Sequence, residues 1–441
     1  MALRAWLVMA ALLVGTSGFG AGVGFGQDDR WYEISKDGVR AVDDGRFAEA
    51  EELFRDALKI SAAYAENDPR RATSVNNLAY ILHAQGQYAE AEPHYREALE
   101  MREQALGPDH PDVAQSANNL AELQRALGNF DEAEALHRRA LEIREASYGP
   151  DHPEVAQSQN NLGVLLATRG DAEEAERLYQ AALETRKRSY GEHHLTTAET
   201  SSNLATLYYG QKRYDEAREL YEHAVEIEEQ ALGDDHPSLA TTLSNLAELH
   251  RAEERFDEAI ALHERALEVR EEALGPDHPE TAHSLNNLAV AHYQQGEVDE
   301  AEELYKRSLE IKERALGEEH PDLALTLKNL AELYRTQKRF DEAEPLYDRA
   351  LAIDEKTLGP DHPSLALGLN NLAALQFDKG SYVKAEELLE RALQIEEAAL
   401  GDAHPELITT LENYAAVLRE LRRHDEADEI EARANSLRAQ L

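Results

Sequence analysis

Leu106–Leu123 reads LGPDHPDVAQSANNLAEL, and Tyr148–Leu165 reads YGPDHPEVAQSQNNLGVL. Close variants recur down the rest of the chain. His110, His152, His194, His236, His278, His320, His362 and His404 mark the opening of the phrase, each 42 residues from the last. The asparagine of NLA and its near variants marks its middle: Asn77, Asn119, Asn161, Asn203, Asn245, Asn287, Asn329, Asn371 and Asn413. Fixed self-similarity at such a period is the signature of stacked repeats, each a unit that buries its apolar face only against its neighbours.

Each period reads as two helices. In the first, Ala282, Leu285, Leu288 and Ala289 fall at helical spacing. A turn follows, with Gly86, Gly128, Gly170, Gly296 or Gly380 in five copies. Glycine accepts the left-handed conformation that ends many helices. Lys212, Glu254, Lys338 and Arg422 hold the same slot elsewhere, so the turn there is expected to be strained or differently shaped. The second helix starts at an aromatic and DEA, as in Phe130–Ala133, and early acids suit a helix N-terminus. Ala133 and Ala140 recur as Ala217/Ala224 and Ala343/Ala350, small enough to let two helices close up. GPDHP is then a connector: Gly107 ends one pair, Pro111 pre-sets the next first turn, and Asp109 or His110 caps it.

The expected fold is all-α, a solenoid of about ten antiparallel helix pairs near residues 31–65, 70–106, 112–148, 154–190, 196–232, 238–274, 280–316, 322–358, 364–400 and 406–440. The first pair is irregular. EARANSLRAQL at the end, more basic and polar, reads as a cap. Residues 27–441 contain no linker and read as one continuous array.

Residues 1–26 differ from everything after them. Arg4 precedes an apolar run, Ala5–Val14, then a small-residue stretch with Gly24-Phe25-Gly26 before Gln27. This is a secretory signal pattern and predicts export to a periplasmic or extracellular space. The alternative is an uncleaved membrane anchor, since no charge occurs from Ala5 through Gln27; only then would a membrane be a partner.

The formal net charge is −42, from 45 basic and 87 acidic residues among 441. Nucleic acid is excluded as a partner on this count, because its binding is driven by Lys and Arg neutralising phosphates. A basic partner is compatible with the charge, and a soluble, self-repelling surface accounts for it more simply. With no cysteine, disulfides, thiolate metal sites and a Cys nucleophile are excluded.

The Asn-Leu-Ala, the turn glycine, the aromatic, the EA and the later Ala together resemble the tetratricopeptide repeat. The 42-residue length with LGPDHPDVA…NNLA is similar to its kinesin-light-chain subclass. The resemblance covers about residues 31–440. It implies a right-handed superhelix whose first helices line a concave groove for peptide segments. No long heptad segment stands before the repeats, so the resemblance extends to the module and not to a motor role.

A helical wheel sets Asn287 opposite the apolar stripe of its own helix. An asparagine amide offers one acceptor and two donors, which matches the backbone of an extended peptide. Asn77, Asn119, Asn161, Asn203, Asn245, Asn287, Asn329 and Asn371 are therefore candidate peptide-binding residues, on the expectation that they face away from the core. The other reading is that each asparagine bonds a neighbouring helix and only spaces the repeats. Three residues on, the side chain varies: Tyr80, Glu122, Val164, Thr206, Glu248, Val290, Glu332, Ala374 and Ala416. Six on, Arg125, Arg251, Tyr293 and Arg335 are the residue types favoured at binding hot spots, and they complete the candidate site. Glu122/Arg125, Glu248/Arg251 and Glu332/Arg335 can equally satisfy one another as i,i+3 pairs.

Metal binding is not expected. A metal needs several donors at about 2.0–2.3 Å, whereas equivalent histidines stand a helix pair apart. No cofactor is expected and no catalytic residue is assigned: there is no phosphate loop, GxSxG or HExxH. The sequence thus predicts a non-catalytic scaffold for a protein or peptide partner, with a structural spacer or self-assembly element as the alternative.

Overall fold

The computed structural model describes residues 27–439, so the segment read as a signal peptide, residues 1–26, lies outside the described residues. The described chain is all-α. Its helices pair in order: α1 (Gln27–Asp43) with α2 (Phe47–Ser61), α3 (Pro69–Ala84) with α4 (Tyr88–Leu106), α5 (Pro111–Ala126) with α6 (Phe130–Tyr148), α7 (Pro153–Arg169) with α8 (Ala172–Tyr190), and α9 (Leu195–Gly210) with α10 (Tyr214–Leu232). Then come α11 (Pro237–Ala252) with α12 (Phe256–Leu274), next α13 (Pro279–Gln295) and α14 (Val298–Leu316), and after them α15 (Asp322–Thr336) with α16 (Phe340–Leu358), α17 (Leu365–Asp378) with α18 (Tyr382–Leu400), and α19 (Leu407–Glu420) with α20 (His424–Arg438). The chain divides into two compact units after Ala291.

The connectors repeat one local device. In all eight, the histidine Nδ1 accepts the backbone N–H two residues on, at 3.1–3.3 Å. Histidine, not the aspartate before it, is the cap, and it satisfies one of the orphan donors of the helix start. The turns inside the pairs also share one shape. Lys212, Glu254, Lys338 and Arg422 hold φ of 60–62°, the left-handed region, as Gly86 does at 74°. Of the two expectations for that slot, the backbone keeps its shape and carries strain.

Unit 1 buries Leu162, Leu165, Leu166, Tyr179, Leu204 and Tyr221 in one apolar cluster. Unit 2 buries Leu389, Leu407, Leu411, Tyr414 and Leu418 in another. Ala133, Ala140, Ala217 and Ala224 are fully buried, as close helix packing requires. Consecutive first helices, such as α3 and α5 or α7 and α9 in unit 1 and α15 and α17 in unit 2, approach more closely than consecutive second helices do. The first helices are therefore the inner layer. The wider gaps outside are spanned by long ion pairs: Arg139–Glu103 at 2.6 Å and Arg265–Glu229 at 2.7 Å in unit 1, Arg391–Glu355 and Arg433–Glu397 at 2.5 Å in unit 2.

Unit 1 also touches itself at long range. The turn between α1 and α2 backs onto the connector before α13. Gly45, at φ +70°, lies so close to His278 that a Cβ there would stand 2.7 Å from its Cδ2 and Nε2.

Candidate peptide-binding face

The asparagine ladder lies on the inner layer, and the structure splits it by partner. Asn119 Nδ2 donates to Asn76 Oδ1 of the preceding pair at 2.8 Å, Asn203 to Asn160 at 2.9 Å, and Asn413 to Asn370 at 3.1 Å. These asparagines tie repeats together. Asn161 accepts from Gln157 at 2.8 Å within its own helix, because Asn118, which would be its acceptor, is 2.9 Å from His137 Nδ1 instead. Asn77, Asn161 and Asn203 are buried, against the outward position expected of them: the adjoining helices close over them. Asn77 has neither amide atom hydrogen-bonded, since the irregular first pair sets Ile34 where five later pairs set an asparagine.

Asn245, Asn287, Asn329 and Asn371 are half-buried. Asn287 accepts only a long contact from Asn286, at 3.5 Å. Asn245 and Asn371 have no hydrogen-bond partner among the described residues. The cause is the residue 43 positions earlier. It is Ser202 for Asn245, too short to reach, and Lys328 for Asn371, which has no acceptor. The signal was in the sequence, as the residue before each ladder asparagine.

The variable positions beside the ladder are engaged. Arg125 bonds Glu122 at 2.9 Å, and Glu122 also faces the buried His137 at 3.4 Å. Burial pushes the Glu122 carboxyl up, but His137 and Arg125 outweigh it and hold it at about 2. Three periods on, Arg251, Glu248 and His263 repeat the arrangement at 2.7 and 3.3 Å. Arg335 pairs with Glu332 at 2.7 Å and reaches Asp378 of the next pair. Tyr293 donates to Thr336 at 3.1 Å. On this same face Leu325 and Leu367 stand 49% and 64% exposed, one period apart and four residues before Asn329 and Asn371.

A second ladder was not read from the sequence. Near the end of the second helices, Arg102, Arg144, Arg186, Arg270 and Lys312 are each no more than 6% exposed. Each donates to a hydroxyl on the next first helix: Ser116 at 2.8 Å, Ser158 at 3.0 Å, Thr200 at 2.7 Å, Ser284 at 2.6 Å and Thr326 at 2.9 Å. Arg144 and Arg186 also reach inward to Gln115 at 3.0 Å and Gln157 at 2.5 Å, and Arg270 reaches Thr241 at 3.0 Å. Burial lowers the pKa of Arg102, Arg144 and Arg270. Besides the hydroxyl, Arg144, Arg186 and Arg270 each face a carboxylate of the next first helix, Glu154 at 3.1 Å, Glu199 at 3.1 Å and Glu280 at 3.5 Å. The ladder's sequence signal is a basic residue fourteen before a Ser or Thr, hidden in helices rich in charge.

Among the described residues no group of His, Cys, Asp and Glu is placed to hold a metal ion, and no helix is long and apolar enough to cross a membrane.

The tetratricopeptide repeat matches the sequence in overlapping stretches: 41–104, 70–146, 112–188, 159–230, 196–260, 238–314, 285–356, 322–378 and 364–438. No curated protein matches the chain significantly. Among solved structures, BtubC (BKLC) from P. vanneervenii is 27% identical, covering 57% of this chain and 93% of that one, with a TM-score of 0.41. The nearly identical TPR-like repeats of a Podosopora anserina protein described as a kinesin light chain are 30% identical over 47% of this chain and 98% of that one, at 0.40. A Rap protein complexed with competence and sporulation factor is 16% identical over 85% of this chain and 99% of that one, at 0.52, a likeness of fold.

Proposed function

Because the chain belongs to the tetratricopeptide-repeat family, we propose that it is a non-catalytic interaction scaffold holding an extended peptide or partner segment along its first helices. The observation that carries this reading is the pair of unbonded, half-buried amides of Asn245 and Asn371. Buried or half-buried polar groups are ordinarily hydrogen-bonded, and each of these, on the inner layer of its own unit, could take a donor and an acceptor from a peptide backbone. Leu325 and Leu367 beside the ladder support it, as exposed apolar side chains in register.

A specific observation favours the spacer reading for part of the ladder: Asn119, Asn203 and Asn413 are used between repeats. One experiment separates the readings. Residues 27–441 and the Asn245→Ala/Asn371→Ala variant are used as bait in native extract, and both are melted. We expect the variant to lose the partner with its melt nearly unchanged. A partner retained at full strength would defeat the groove reading and move binding to another face, and no partner for either protein would leave the spacer. We also propose that residues 1–26 direct export and are removed before Gln27. An intact N-terminus on the mature protein would contradict this.

A further inference from the structure

The buried cation ladder changes sign at Glu228. This residue stands one period after Arg186 and one before Arg270. It is as buried as the cations, 7% exposed, and its Oε2 is buried with no hydrogen-bond partner. Thr242, fourteen residues on, stands where Thr200 and Ser284 receive an arginine, and its hydroxyl draws the Glu228 pKa down. The inward-facing residue that is Gln115 or Gln157 for the arginines is here Glu199, whose charge acts on Glu228. Glu199 is 22% exposed and is shared with Arg186 at 3.1 Å. A buried carboxylate, with a second one beside it, therefore stands where the neighbouring pairs bury a cation.

A buried carboxylate oxygen without a donor is costly. Burial, reinforced by Glu199 and opposed by Thr242, pushes its pKa up to about 7. Below about pH 7 a proton relieves it; above that pH the relief is a cation. The free amide of Asn245 lies one turn along α11 from Thr242, on the layer where the peptide backbone is proposed to run.

We propose that Glu228 and Glu199 form a subsite that receives a basic side chain of the bound peptide, supplying the cation that neighbouring pairs supply for themselves. This rests on the groove reading above. It selects the occupant by charge: an arginine or lysine whose side chain passes Glu199 and ends on Glu228, its backbone held at Asn245. The excess of acid over base in the whole chain, net −42, favours the approach of such a segment.

The test uses residues 27–441 and two fluorescent twelve-residue Gly/Ser/Ala peptides, identical except for a central arginine or its neutral isostere citrulline. Binding is followed by anisotropy for wild type, Glu228→Gln and Glu228→Arg, each checked for helicity. We expect the arginine peptide to bind wild type about tenfold more tightly than the citrulline peptide, as suits a charge-assisted bond. That preference should vanish in Glu228→Gln and Glu228→Arg. Glu228→Arg should also melt higher, because it continues the cation ladder. Equal binding of the two peptides to wild type, or a preference that survives in folded Glu228→Gln, would overturn the subsite and leave the groove standing. No binding of either peptide to wild type would overturn both.

Discussion

Glu228 also sets how stability depends on pH. Its folded pKa of about 7 lies above the ordinary 4.5, so the folded state keeps a proton that the unfolded chain releases. Stability from this group is complete below about pH 4.5 and is lost as pH rises through 7. The size is about 3 kcal/mol, from the distance between 4.5 and about 7. Between pH 5 and 8, Glu228→Gln should therefore gain on wild type by up to that amount in urea midpoints; parallel profiles would show the carboxyl is not desolvated. The asparagines make a sharper contrast. Replacing Asn119 or Asn203 by Ala strands the carbonyl of Asn76 or Asn160, and each should cost about 1–2 kcal/mol. Asn245→Ala and Asn371→Ala should each cost under about 0.5 kcal/mol. Equal losses at all four would mean the ladder is uniform. The sequence showed the ladder and its helix but not this division. The pattern of identical asparagines is visible along the chain, whereas the division depends on Ser202 and Lys328, which become neighbours only when the pairs stack.

Among the elements, the all-α array of helix pairs was legible, because alanines, turn glycines and the histidine–proline connector are local signals. The cation ladder was not, since its partners lie on different helices and arginine on an acidic helix reads as surface. The turns carry the clearest consequence. Lys212, Glu254, Lys338 and Arg422 hold the conformation that glycine holds elsewhere, at about 1 kcal/mol each for a residue with a Cβ. Lys212→Gly and Lys338→Gly should each raise stability by up to about 1 kcal/mol, less the chain entropy that glycine adds. An unchanged or lower melting temperature would show that the side chains contribute more than the strain costs. Arg422 is omitted because it lies near the end of the array, and Glu254 because its neighbour Glu253 pairs with Arg218.

At the scale of the whole molecule, a repeat array is expected to fold as a line of neighbours, each pair answering only to the next. Unit 1 departs from that at one point, where Gly45 meets His278. A side chain there would have to enter the imidazole while its backbone stayed left-handed. Gly45→Val should thus lower the melting temperature of unit 1 and speed hydrogen exchange at the start of α13, far along the chain from the change. Exchange altered only near α1 and α2 would show the contact carries no energy. If the distant effect is found, the first pair and the connector at His278 share one fate. Fraying, which in an open array costs only the terminal unit, would then have to break a clasp first, so unit 1 would come apart in one step rather than peel from its end.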